Sequence, residues 1–270
     1  MDPLHQILFY VGDFPVRSFG VMLSLGILAG LLVSYYVAKT QQRYQEEVLD
    51  LAFYAILGGL LGARLWEVMF SWDYYGSHLS EIPAIWNGGI SVQGSVVGGL
   101  LAVIWYCRKQ KIDLWLMMDT LAPGVLVGQA VGRIGCFLNG CCYGIPHQHL
   151  GVIYPAGTDA YYTFGSQPLF PAVLFEAAWD VLVLILLLVL YKRKPFDGFI
   201  ALGYFILYSA GRFVLEFWRA DSLRTVMDLK AAQVSSVVTI CIAVAFMVYL
   251  YNRERQSANK KDVNRINIRN

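Results

Sequence analysis

The chain has 270 residues, of which 57% are hydrophobic and only 15% charged, with a mean hydropathy of +0.51. Water-soluble domains carry about 25% charged residues, so that class is excluded. A net charge of +2 excludes a strongly basic nucleic-acid binder, and five cysteines scattered as Cys107, Cys136, Cys141, Cys142 and Cys241 exclude a small disulfide-framed fold. Seven stretches approach the ~20 apolar residues that a helix needs to cross about 30 Å of hydrocarbon: 19–38, 51–72, 88–107, 114–138, 168–191, 198–218 and 231–251. The expectation is an all-α polytopic membrane protein with seven transmembrane helices over residues 1–252.

Basic residues set the orientation. With the N-terminus outside and the C-terminus cytoplasmic, the cytoplasmic segments hold 14 of the 21 Lys and Arg residues. The outer segments hold four (Arg17, Arg219, Arg224 and Lys230), and Arg64, Arg133 and Arg212 fall within spans. No cleavable signal is expected, because Asp2, Asp13 and a lone Arg17 precede the first span. The segment 71–87, with Trp72, Tyr74, Tyr75 and Trp86, reads as aromatic residues at the lipid headgroup level. The loop 139–170 has no Lys or Arg and reads as a small outward-facing cap. The tail 253–270 is basic and aperiodic, and is expected to be disordered at the cytoplasmic surface.

Ionisable residues inside spans demand a reason, since an Arg at the bilayer centre costs roughly 2.5–3.5 kcal/mol. Arg offers a planar fork of donors suited to phosphate or carboxylate and stays charged when desolvated. Arg64 has Glu67 three residues on, on the same helix face, so a local pair competes there with substrate binding. Tyr208, Arg212 and Glu216 recur at i, i+4 and i+8, with Arg219 three residues further. This polar stripe points to a cavity inside the bundle, against the alternative of a structural ion ladder. Glu176 and Asp180, also four apart, are expected to share an arginine.

Glycines spaced by four let helix backbones approach closely, which accounts for Gly94, Gly98, Gly124, Gly128 and Gly132. The run Gly132-Arg133-Ile134-Gly135-Cys136-Phe137-Leu138-Asn139-Gly140-Cys141-Cys142-Tyr143-Gly144 is denser, and leaves room for a headgroup beside an Arg and an Asn. This run resembles the signature of the prolipoprotein diacylglyceryl transferase family. Asn87–Gly99 is similar to the family's glycine-rich third-span segment, and Gly211–Arg219 to its Arg-x-x-x-Glu-x-x-Arg helix, so the likeness covers nearly the whole chain. The resemblance implies transfer of the diacylglyceryl group of phosphatidylglycerol to the lipobox cysteine thiol of preprolipoproteins, with release of glycerol phosphate. It implies no cofactor, no metal and a bacterial cell membrane location with the site facing the outer leaflet. By matched positions, Arg133 and Arg212 would hold the phosphate and Glu216 would orient Arg212. Tyr208, Asn139, Gly144, Gly94 and Arg64 would line the substrate site.

The chain departs from the family pattern at four places: Gln93 stands for a His, Cys136 for an Asn, Cys141 for an acidic residue and Phe19 for a Tyr. Gln93 is therefore expected at the catalytic position without being a base, and His147 and His149 are candidate proton acceptors. A thiol that is already a few per cent ionised near neutrality could also dispense with a strong base. Two other classes compete. One is a membrane thiol oxidoreductase or metal site built on Cys136, Cys141 and Cys142, although their spacing fits neither standard pattern. The other is a non-catalytic phospholipid-binding relative. A transporter is disfavoured because the two halves show no repeat.

Overall fold

The computed structural model describes residues 6–222 and 229–269. Arg224, one of the outer basic residues counted above, lies outside the described residues, as does Asp2. The chain opens with an antiparallel hairpin, β1 (Ile7–Val11) and β2 (Phe14–Arg17), in which Val11 faces Phe14 across a turn where Gly12 has φ 60°. The all-α expectation missed this hairpin. Hydropathy sufficient to span a membrane does not register so short a run, whereas Gly12-Asp13 between two apolar segments is the signal of a two-residue turn.

Nine α-helices follow among the described residues. They are α1 (Ser18–Gln41), α2 (Gln45–Phe70), the single turn α3 (Trp72–Tyr75), α4 (Val92–Gln110), α5 (Leu114–Asn139), the short α6 (Asp159–Phe164), α7 (Ala172–Tyr191), α8 (Phe199–Leu215) and α9 (Ala231–Arg269). Six of these, α1, α2, α5, α7, α8 with its following turn, and α9, are long and apolar enough to cross a membrane. The chain is thus a polytopic helical membrane protein.

The expected third span is α4, with 19 residues and Arg108 and Lys109 in its last turn. It starts at Val92, not 88, because Gly88 and Gly89 have φ of +88° and +67° and Ser91 caps the helix by accepting from Gly94 N. Conversely, α2 starts at Gln45, six residues before the apolar run, with Glu46 and Glu47 placed favourably at the positive end of its dipole. The tail expected to be disordered continues α9 to Arg269; no Pro or Gly interrupts residues 231–269.

The chain divides into two compact units, Tyr35–Met117 and the remainder. In the first of these, α2 and α4 pack through small residues: a Cβ on Gly58 or Gly62 would meet the backbone of Gly98 or Gly94. In the other, α1 meets α5 the same way, with Gly26 against Gly128 O and Gly30 against Gly124 O, at 2.9 and 2.6 Å from the added Cβ. The packing expected of Gly94, Gly98, Gly124 and Gly128 is therefore present. Gly132 is the exception, since an added Cβ there meets nothing within 4 Å.

In the larger unit, the buried Asp119 of α5 accepts from Gly198 N and Ala201 N at the start of α8, both at 2.9 Å, and pairs with Lys194 at 2.9 Å. One carboxylate thereby caps a helix remote in sequence and neutralises its own burial. The loop 139–170 is structured. Tyr143, Tyr154, Ala160 and Leu169 form a buried cluster, and Thr158 caps α6 by accepting from Tyr161 N at 3.2 Å. The segment is tied to the end of α8 by Ile145 N donating to Trp218 O and Ala220 N donating to Tyr143 O, at 2.9 and 3.2 Å.

Candidate functional site

Helices α5, α7 and α8 each carry a charged residue to one place in the larger unit. Glu176 of α7 is the hub, 4% exposed. Its Oε1 lies 2.5 Å from Arg212 Nη1 and 3.0 Å from Arg219 Nη1, and its Oε2 lies 2.9 Å from Arg133 Nε. Arg212 Nη2 lies 2.9 Å from Oε2 of the fully buried Glu216, one helical turn on. Arg133 Nη2 donates to Tyr208 Oη at 3.3 Å. Beyond α8 the chain takes a tight turn over Glu216–Trp218 and becomes extended at Arg219, which pairs with Asp221 at 2.8 Å. Lys230 Nζ donates to the backbone carbonyls of Glu216 and Arg219, at 2.6 and 2.5 Å.

This cluster assembles four of the residues expected at the site: Arg133, Arg212, Glu216 and Tyr208. Beside the stripe on α8 lies a small cavity of about 10 Å³, lined by Arg133, Glu176, Trp179, Asp180, Tyr208, Arg212 and Leu215. The arginines differ in access. Arg133 and Arg212 keep 19% and 18% of their side chains exposed, against 6% for Arg219. The first two are thus the more open to a ligand, while the third is enclosed with Glu176 and Asp221. Glu216 pairs with Arg212, and Arg219 is held by Glu176 and Asp221.

The carboxylates are not saturated. Glu176 Oε2 and Glu216 Oε2 are close to guanidinium nitrogens without hydrogen-bond alignment, and Glu216 Oε1 and Asp180 Oδ2 have no hydrogen-bond partner among the described residues. Buried acceptors of this kind favour a ligand that brings donors. Alongside lies an apolar groove lined by Phe175, Ala178, Trp179, Leu182, Ala210, Gly211, Val214 and Leu215. It shares Trp179 and Leu215 with the polar cavity. The indole N–H of Trp179 donates to Leu207 O at 3.0 Å, and Gly211 leaves the space that the ring fills.

The other expected residues have their own roles. Arg64 belongs to the smaller unit, 6% exposed, and donates to Ile82 O, Gly88 O, Gly89 O, Glu81 O and Tyr75 Oη at 2.6–3.1 Å. Its fork is thus spent on organising the loop before α4. Glu67, expected as its partner, accepts from Ser71 Oγ instead. Tyr75 is buried against Arg64, whereas Trp72, Tyr74 and Trp86 are exposed, as an interfacial position would require. Gln93 and Gly94 lie in the same unit, in the first turn of α4. Gln93 Oε1 accepts from Ser91 Oγ at 2.8 Å, and Gly94 is filled by contact with Gly62 and Trp66.

Asn139 ends α5, its carbonyl accepting from Gln6 Nε2 at 2.9 Å. Gly144 sits where backbones cross: an added Cβ would lie 2.5 Å from Phe170 O and 2.6 Å from Trp218 O. It therefore joins the cap to the segment carrying Arg219. His147 Nδ1 accepts from Leu150 N at 3.1 Å, and His149 is exposed in the same loop. The residue missed as a site member is Glu176. Its four-residue spacing to Asp180 suggested shared binding of one arginine, but its three partners lie 36 to 43 positions away in the chain, a separation that no local pattern reports.

Fold and site together define a polytopic helical membrane protein with a partly buried arginine–carboxylate cavity opening beside an apolar groove. A family model described as prolipoprotein diacylglyceryl transferase matches residues 6–249, and the chain belongs to that family. It is 35% identical over 256 residues to the phosphatidylglycerol–prolipoprotein diacylglyceryl transferase of Staphylococcus epidermidis, covering 92% of this chain and 89% of that protein. It is 34% identical over 258 residues to the protein of the same name in Acaryochloris marina, covering 94% and 93%. To the Listeria monocytogenes protein it is 33% identical over 261 residues, covering 92% and 91%.

Proposed function

We propose that this chain transfers the diacylglyceryl group of phosphatidylglycerol to the lipobox cysteine thiol of a preprolipoprotein, releasing glycerol phosphate. The observation that carries the reading is the pairing of two accessible arginines, Arg133 and Arg212, with an apolar groove that shares cavity walls with them. A phospholipid has this composition: one anionic phosphate on a long apolar body. The hydroxyls of a glycerol headgroup would supply the donors that Asp180 Oδ2 lacks.

In the reaction, the thiol sulfur forms a bond to the diacylglycerol carbon that carries the phosphate ester. The carbon–oxygen bond breaks and the pair of electrons leaves with glycerol phosphate. Arg133 and Arg212 stabilise the charge that gathers on the departing phosphate, with Glu176 and Glu216 holding them in place. The thiol proton leaves for solvent or for a base such as His147 or His149. Cationic surroundings lower a thiol's pKa and so reduce the demand on that base. The proposed setting is a bacterial cell membrane, with seven spans counting α4, the N-terminus outside and the cavity open to the outer leaflet. The basic residues of the sequence support this orientation.

The test is turnover of the purified protein in phosphatidylglycerol vesicles with a lipobox peptide, reading lipidated peptide and released glycerol phosphate. Arg133→Ala and Arg212→Ala are each expected to lose about 10²–10³-fold in rate. Unchanged rates in both variants would overturn the assignment of these arginines. A wild-type protein that binds the lipid through them without turnover would instead identify a non-catalytic relative.

A further inference from the structure

Three thiols outside the arginine cavity's lining converge at the C-terminal end of α5. The Sγ atoms of Cys136, Cys141 and Cys142 lie within 4.8 Å of one another; the thiols are free and partly buried. Neighbouring residues in an extended chain point to opposite faces, so adjacent cysteines ordinarily diverge. Here Cys142 adopts φ +59°, in the left-handed region that residues with a Cβ seldom enter, at a cost of order 1 kcal/mol. Gly140, with φ +73°, turns the chain just before. The backbone thus bears local strain where the sulfur atoms come together, and such strain concentrates at functional sites.

A second observation points to a ligand. Tyr154 is 1% exposed, and its hydroxyl has no hydrogen-bond partner among the described residues. Its ring packs against those of Phe137 and Tyr143, the residues that follow Cys136 and Cys142, with centroids 6.2 and 6.4 Å apart.

We propose that Cys136, Cys141 and Cys142 form a binding site for one thiophilic d10 metal ion, Zn2+ or Cu+. Binding releases three protons, one from each thiol. The zinc complex carries a net charge of −1 and the copper complex −2. Metal–sulfur bonds of about 2.3 Å require sulfur atoms about 3.8–4.0 Å apart, so the thiols need close by only a fraction of their present spread. Cu+ can rest in three-sulfur coordination. Zn2+ takes a fourth donor, supplied by water or by the orphan Tyr154 oxygen. The site is independent of the transferase reading, because its ligands do not include the arginines and carboxylates proposed to handle lipid.

The test uses the full chain in detergent, reduced, stripped of metal and freed of reductant, with Co2+ as the probe. One Co2+ per chain is expected, with an intense thiolate-to-cobalt charge-transfer absorption that Zn2+ abolishes by displacement. Competition against a Cu+ chelator provides the second arm, and preference for either ion supports the site and names its occupant. Cys136→Ser and Cys142→Ser should weaken binding at least ~100-fold and Tyr154→Phe about tenfold, while Cys241→Ser leaves it unchanged. Should the serine variants fail to fold, metal should still protect Cys136, Cys141 and Cys142 of the wild type from alkylation relative to the metal-free protein. A wild type with its thiols free that binds none of the three ions would overturn the proposal. So would a Cys136 disulfide to Cys141 or Cys142 that re-forms whenever reductant is withdrawn.

Discussion

Replacing Glu176 with Gln keeps the shape of the hub and removes its charge. Wild-type Glu176 sits 2.5–3.0 Å from Arg133, Arg212 and Arg219 and is almost fully buried. Without it, Arg133 loses the carboxylate it pairs with, and Arg212 and Arg219 keep only Glu216 and Asp221. Breaking one side of a buried ion pair costs about 3–5 kcal/mol, which in a chain of this size lowers an unfolding midpoint by on the order of 10 °C. The same change frees positive charge for a ligand. Thermal unfolding in detergent should therefore show a lowered midpoint that glycerol phosphate restores in Glu176→Gln by more degrees than it adds to the wild type, because in the variant the anion displaces no carboxylate. A variant as stable as wild type and indifferent to the anion would refute the reasoning that Glu176 holds the arginines together.

Other expectations follow from individual contacts. Gly124→Ala, whose Cβ would run into Ser34 and the Gly30 carbonyl, should cost about 1–3 kcal/mol in thermal or denaturant unfolding. Gly132→Ala, with open space around it, should be neutral or stabilising by up to ~1 kcal/mol in the same assay. Arg64→Lys should make the segment between Tyr75 and Ser91 sensitive to limited proteolysis, because one ammonium group cannot reproduce a fork that reaches four carbonyls and a hydroxyl. Burial opposes the charge on Lys194, but Asp197 and Asp119 outweigh it and raise its pKa. The stability it contributes should be complete below the unfolded lysine value of about 10.4 and fade as pH rises through the higher folded value. Lys194→Met should flatten that alkaline loss in a pH series of unfolding midpoints.

What could be read from the sequence was what lies close along the chain. The bodies of the helices were legible as apolar runs. Their ends were decided by features that hydropathy does not weigh: paired positive-φ glycines before α4, an acidic first turn at α2, an uninterrupted helical continuation at α9. The α8 stripe was legible because the i, i+4 rule connects Arg212 to Glu216 within one helix. Glu176 was seen as a paired carboxylate and not as a hub, since its partners arrive from α5, from α8 and from the segment beyond α8. Arg64 shows the opposite error. A nearby Glu67 suggested an ion pair, while the guanidinium is spent on backbone carbonyls of a loop whose path the sequence does not reveal.

The splice at Gly144 has a mechanical consequence. The cap is joined to the extended segment beyond α8 through Gly144, Ile145 and Tyr143, and Arg219 lies within that same joint. Swinging the cap away as a lid would carry Arg219 out of reach of Glu176, so an open cap and an assembled cationic cluster exclude one another. The cap is a strut and not a door, and the apolar groove on α7 and α8 reaches the polar cavity without moving it.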